Sequence, residues 1–316
     1  MKYWQLLLVK PLAICICLGT ATASADTSLV ALIPSNAAAC VSTPDVASLD
    51  RHWRQTQFYR LLQDGHMQEF MAGIRPTAST EGSVPALGLA WRDLVRLGSG
   101  QACWSLSPVE DDRVGALLLV RTNETDRWES IVKLLDSRYA ADPATRKSIA
   151  IDGVEGVAYH FQAKNTAESA EWIYLRHEGV LCVASCEELA QHFVRAVRSN
   201  GAGGLSAEAA YQAVERNSHD AKADALTHLR WYLDPFGYEA MMRRNENGAE
   251  DPTIQLWKSQ GLEIILAIGG HMSFSYQNHD LIHHYAVFRP GALTKAARML
   301  SFVPLANVRL PDWIPA

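Results

Sequence analysis

Leu226-Thr227-His228-Leu229-Arg230-Trp231-Tyr232-Leu233-Asp234-Pro235-Phe236-Gly237-Tyr238 is a β-favouring run that stops at a helix-start signal. Asp234 is placed to accept the first free N–H groups of a following helix, and Pro235 takes the first helical position, where a missing donor costs nothing. The stretch therefore reads as strand, corner, helix. The same unit occurs near the N-terminus, where Ala38-Ala39-Cys40-Val41-Ser42-Thr43 is a short strand stopped by Pro44. There Asp45 caps a helix carrying Leu49 and Trp53 on one face.

Two occurrences of one unit predict a duplication, and the flanking segments extend it. Ala90-Trp91-Arg92 corresponds to Leu256-Trp257-Lys258, Gly100 to Leu106 corresponds to Gly270 to Tyr276, and Leu117 to Arg121 corresponds to Tyr285 to Arg289. The helix face Trp128, Ile131, Val132, Leu135 matches Leu293, Ala296, Ala297, Leu300 in spacing. Each unit is expected to run strand, helices, two-stranded hairpin, helix.

Between the two units the pattern changes. Val114 to Val120 is nearly all apolar, as in a strand buried on both faces. From Ser148 to Ser185 short strands alternate with tight turns, and Asp152-Gly153 and Glu178-Gly179 are hairpin signals. Ser185 followed by Glu188 has the spacing of a capping box, with Leu189, Phe193, Ala196 and Val197 on the helix face behind it. Asn200 to Gly204 is the most linker-like segment, and a helix from Ser206 carries Tyr211 and Val214. Phe58, Leu61 and Leu62 mark a helix after the first unit's strand, Arg75 to Val84 reads as a loop, and Trp91 sits on a short helix. The predicted fold class is α+β, with duplicated strand-helix-hairpin-helix units forming mixed, largely antiparallel sheets on which helices pack. Residues 26–201 form a first unit with extra hairpin strands, and residues 202–316 form a second.

The first 25 residues have the parts of a secretory signal peptide. Lys2 and Lys10 flank an apolar core from Leu12 to Leu18, and Ala23-Ser24-Ala25 supplies the small-x-small cleavage pattern. That leader has two lysines and no acidic residue, so its removal takes the formal charge from −5 to −7. The expected location is secreted or periplasmic after cleavage near Ala25. No later apolar run reaches the ~18 residues of a membrane helix. An acidic chain without basic clusters does not suit nucleic acid. Cys40, Cys103, Cys182 and Cys186 remain after the leader, and an even number permits disulfides in an oxidising compartment. Each also lies within an apolar segment, where cysteine serves as a small hydrophobe.

Among the side chains with chemistry, His271 and His284 stand out, because Gly270-His271-Met272 and His279 to His284 lie on strands expected to pair. With Asn278-His279 as the turn, His271 and His284 are diagonal neighbours on one face, and His283 joins Met272, Phe274, Tyr285 and Val287 on the other. Two histidines begin a metal site, and no third ligand follows at a fixed spacing. His177-Glu178 does not continue into HExxH, and His160 on its strand reads as a satisfied polar position. No Ser is flanked as in a nucleophile elbow, and no P-loop or dinucleotide fingerprint occurs. Asp111-Asp112 falls in a turn and Glu187-Glu188 at a helix start, where carboxylates are solvated or favoured by the dipole. No catalytic residue and no cofactor follow from these motifs.

Three stretches carry a family likeness: Leu32-Ile33-Pro34-Ser35 through Thr56 to Asp64, Leu229 to Tyr238, and Arg298-Met299-Leu300-Ser301-Phe302. Together these resemble secreted proteins of unknown function that are numerous in planctomycete bacteria. The resemblance implies no activity or catalytic residues, and such proteins are typically longer than this chain. The expected function is a non-enzymatic binding or structural protein of the cell envelope, acting on another envelope protein or a small ligand. The alternative is a metal-dependent hydrolase using His271 and His284. Trp313-Ile314-Pro315-Ala316 repeats the pattern of Leu32-Ile33-Pro34-Ser35, so the chain is expected to stop where a further unit begins and to self-associate through the surface left open.

Overall fold

The computed structural model describes residues 28–67, 100–110, 113–122, 127–139, 145–162, 169–218, 227–244, 252–276 and 279–302. The leader, the loop at 75–84, Trp91, Asp111-Asp112 and the last residues lie outside these ranges.

Among the described residues ten strands form one sheet. They are β1 Ala39–Thr43, β2 Ala102–Pro108, β3 Val114–Arg121, β4 Thr145–Ile151, β5 Val154–Gln162, β6 Ser169–His177, β7 Val180–Ala184, β8 Leu229–Leu233, β9 Ala267–Tyr276 and β10 His279–Phe288. Their order is β10-β9-β8-β1-β2-β3-β7-β6-β5-β4, and every neighbouring pair is antiparallel. This corrects the expectation of mixed sheets. Most consecutive strands are antiparallel neighbours, and two crossovers, from β3 out to the edge strand β4 and from β7 across to β8, keep the same sense, with Ala39 of β1 opposite Leu233 of β8.

Local chemistry sets most of these elements. Asp152-Gly153 and Glu178-Gly179 have φ of 46° and 79°, and of 46° and 75°, the left-handed pair that closes a tight hairpin. β3 is buried along all its interior positions, as its apolar run requires. Helix α1, Val46–Gln55, is capped by Asp45, whose Oδ1 accepts the Ala47 N–H at 2.9 Å. It is followed by α2, Gln57–Gln63, α3, Arg127–Tyr139, α4, Glu187–Arg198, and α5, Ala209–Ser218. Helix α6, Pro235–Arg244, starts at Asp234, whose Oδ1 accepts the Phe236 and Gly237 N–H groups at 3.2 and 2.8 Å. Helix α7 is Pro252–Ser259.

Two sequence expectations fail here for nameable reasons. The Ser185–Glu188 capping box does not form, because the Ser185 hydroxyl accepts the Ala116 N–H at 2.8 Å and Glu188 accepts the Glu110 N–H at 2.9 Å. Cys186 is the N-cap instead and makes no side-chain cap bond. The segment Lys295–Phe302 is a 3-10 helix rather than an α-helix, entered through Lys295 at φ 49°.

The core has two layers, one on each side of the sheet. On one side Cys40, Cys103, Leu117, Leu119, Ile173, Leu175 and Cys182 pack beneath α4, α5 and the 3-10 turn Leu29–Leu32. On the other, Leu106, Leu118, Val183, Tyr174 and Trp172 pack beneath α3, with Val46 of α1 and Met241 of α6. The turn residues Asn200 to Gly204 close against the N-terminal segment: Gly204 bridges Pro34, and a Cβ on it would stand 1.9 Å from the Ala31 carbonyl oxygen. The division at residues 201 and 202 thus separates the chain but not the sheet, which runs through it at β1–β8.

Candidate functional site

The β8–β9–β10 end of the sheet carries His271, His279, His283 and His284. β9 and β10 pair from Tyr276 opposite His279 through to Ala267 opposite Phe288. The residue opposite His271 is two positions from the one an Asn278-His279 turn would set, so His271 faces His284 squarely rather than diagonally. Helix α5 lies over both strands on this side. It brings Glu215 Oε1 to 3.5 Å from His271 Nε2, and His271 is 5% exposed. Among the described residues no group of three His, Cys, Asp or Glu side chains converges as metal ligands do.

On the other side of the same strands the surface is aromatic and largely open. Trp231 of β8 donates its Nε1–H to His283 Nε2 at 2.9 Å, so the imidazole carries its proton on Nδ1. Their ring centroids are 5.7 Å apart, as are those of His283 and Tyr285. Gly270 stands between Trp231 and Tyr285 in the cross-strand row and offers no side chain. Desolvation, then the neighbouring His284, hold His283 below the ordinary histidine range. Tyr285 is 66% exposed, Leu281 50% and Val287 44%, a row that any covering element would bury.

Helices α1 and α2 edge this surface. Trp53 meets Phe274 edge-on at 5.4 Å, and the Asp280 carboxylate accepts the Gln57 and Phe58 N–H groups at 2.8 and 3.1 Å. A hollow of about 650 Å³ lies beside that contact, lined by Gln57, Phe58, Arg60, Leu61, Asp64 and Asp280. His228 Nδ1 accepts the Phe274 N–H at 3.0 Å, and the His52 ring centroid lies 4.2 Å from that of His228. A larger hollow of about 720 Å³ lies at α3 and β4–β5, where Glu129, Lys133, Arg146 and Glu155 balance one another.

The remaining sequence candidates are dispersed. His160 Nε2 stands 3.2 Å from Glu171 Oε1, its direct cross-strand partner. Glu187 and Glu188 sit in the first turn of α4. Cys40, Cys103, Cys182 and Cys186 are buried and unbridged, with the Cys40 and Cys103 sulfurs 3.4 Å apart. Sequence reasoning placed His283, Met272, Phe274, Tyr285 and Val287 on one face. It missed Trp231 and Trp53, which reach that face from the neighbouring strand β8 and from helix α1. Among the described residues no helix is long and apolar enough to cross a membrane. No protein-family model, no curated protein and no solved structure matches the chain.

Proposed function

We propose that this chain is a secreted or periplasmic interaction protein of the cell envelope that works through the open face of β8–β10 rather than by catalysis. The observation that carries it is the row Leu281, Tyr285 and Val287, exposed beside the Trp231–His283 pair. An apolar aromatic surface with a polar hydrogen-bonding centre is the composition of a binding patch. The duplication belongs to this reading. β1–β2–β3 and β8–β9–β10 run back to back from the β1–β8 pair, and each first strand leads into an Asp-capped helix. The likeness to secreted planctomycete proteins agrees with an envelope location.

The test places a photo-crosslinking amino acid at Tyr285 or at Ser148 in the native host. Adducts at position 285 and none at position 148 support the proposal. Stoichiometric zinc in the purified chain, with a hydrolase activity lost in His284→Ala, would establish the enzymatic alternative instead. Protein sequencing of the mature chain should begin at Asp26.

A further inference from the structure

The two edges of the sheet are built differently. β4 presents Thr145, Arg146, Lys147 and Ser148, all exposed, and cationic side chains on an outer strand discourage another sheet from pairing with it. β10 contains no Lys, Arg or Pro in its ten residues. Its one carboxylate, Asp280, is engaged by the amides of Gln57 and Phe58. What alternates along β10 is an exposed row of Leu281, His283, Tyr285 and Val287. No element among the described residues pairs with its outer side.

The place of β10 in the fold shows what fits there. In the run β1–β2–β3 the outer side of β3 is taken by β7, antiparallel, from Leu117 opposite Ala184 to Arg121 opposite Val180. β10 occupies the corresponding place in the run β8–β9–β10. A strand entering beside it in the same sense must be antiparallel, and it must be apolar on the Leu281–Val287 side. β10 itself meets both conditions, because its apolar positions recur every second residue. Antiparallel strands set residues of like face opposite each other, so reversing β10 against itself matches the row to itself.

We propose that β10 pairs with β10 of a second copy of this chain, joining two ten-stranded sheets into one across a two-fold axis at His284. Leu281 then meets Val287 of the partner subunit, and His283 meets Tyr285 of the partner subunit. The proposal rests on the reading of this face as an interaction surface and assigns its first occupant. A symmetric edge contact closes on itself and leaves the two β4 edges, guarded by Arg146 and Lys147, as the outer limits of the assembly.

Sedimentation of the purified mature chain tests it. The expected result is a reversible dimer at about 100 µM, which Tyr285→Lys with Val287→Lys weakens by ~100-fold while the melting temperature holds. A second variant, His284→Cys, should form a covalent dimer on mild oxidation, since facing positions of paired strands lie within disulfide reach. A monomeric chain that forms no such crosslink overturns the proposal, as does a dimer that the lysine pair leaves intact. A monomer that still crosslinks another protein from position 285 removes the second copy and leaves the interaction reading standing. A monomer without adducts removes both.

Discussion

His228 Nδ1 accepts the backbone N–H of Phe274 at 3.0 Å, which makes a neutral imidazole part of the hydrogen bonding between β9 and the approach to β8. Protonation would put a hydrogen where the Phe274 amide already points. Desolvation, then His52 and Arg51, push the His228 pKa down to about 4, against a smaller opposing effect of Asp45. An unfolded chain protonates this residue near the ordinary value of about 6.5. Between those two values the unfolded state binds the proton and the folded state does not. Stability is therefore complete above about 6.5 and falls toward pH 4, by on the order of 2 kcal/mol from this residue. His228→Asn, whose side-chain oxygen can take the Nδ1 position, should flatten the denaturation midpoint across that range. An unchanged slope would remove His228 as the cause. His192 and His283 are lowered too, so part of the acid sensitivity should persist in the variant.

Asp234→Ala should destabilise the chain by about 1 kcal/mol through loss of the helix cap. Gly237 supplies a sharper check. A Cβ there would stand 2.3 Å from Asp234 Oδ2, so Gly237→Ala displaces the cap although alanine favours a helix by about 1 kcal/mol over glycine. The two effects oppose each other, and urea titration should show no net gain. A gain near the full propensity difference would mean that the carboxylate contributes nothing.

Leu118→Asp should abolish folding, because Leu118 is 4% exposed between Trp104 and Val183 in the sheet register. An uncompensated carboxylate there has no partner to offset its desolvation. Lys147→Asp, on the exposed edge strand β4, is the matched control and should fold as the parent does. A soluble Leu118→Asp chain with a cooperative melt would place β3 nearer to solvent than the structure does.

The four cysteines should stay reduced. Cys40 sits opposite Ser105 and Cys103 opposite Ser42, so the two thiols are diagonal rather than facing. Their sulfurs touch at 3.4 Å, yet diagonal backbone positions stand farther apart than a disulfide spans. The Cys40 sulfur, then burial, push the Cys103 thiol well above its usual range, and burial does the same to Cys182. Alkylation should modify none of the four in the native chain and all of them in denaturant. A mass change on reduction of the unmodified protein would refute this.

The parts of the fold legible in the sequence are those decided within a few residues. Asp45 and Asp234 cap the helices they precede, and the Asp-Gly and Glu-Gly turns close hairpins, because donors, acceptors and positive φ all lie close by in the chain. Ser185 and Glu188 carried an equally good local pattern and failed, since the amides that claim them belong to residues 116 and 110. The candidate site divides the same way. Alternation placed His271 and His284 on one side and His283 and Tyr285 on the other, but the register beside Ser275, with φ 48°, could not be counted from residue types. Trp231 reaches the site through the β8–β9 pairing, and Trp53 through a helix that precedes β9 by about two hundred residues.

The pairing of β1 with β8 also dictates a timetable. Ala39 finds its neighbour Leu233 only after nearly two hundred further residues have been made, so one side of β1 stays vacant while β2 to β7 assemble. Contacts of such separation slow folding, because the intervening chain must be closed into a loop before any stabilisation is gained. A chain interrupted between Ala184 and Leu229 would hold the strands of β1 to β7 with an unfilled edge at β1. That intermediate is the form in which aggregation, proteolysis or a chaperone would find this protein.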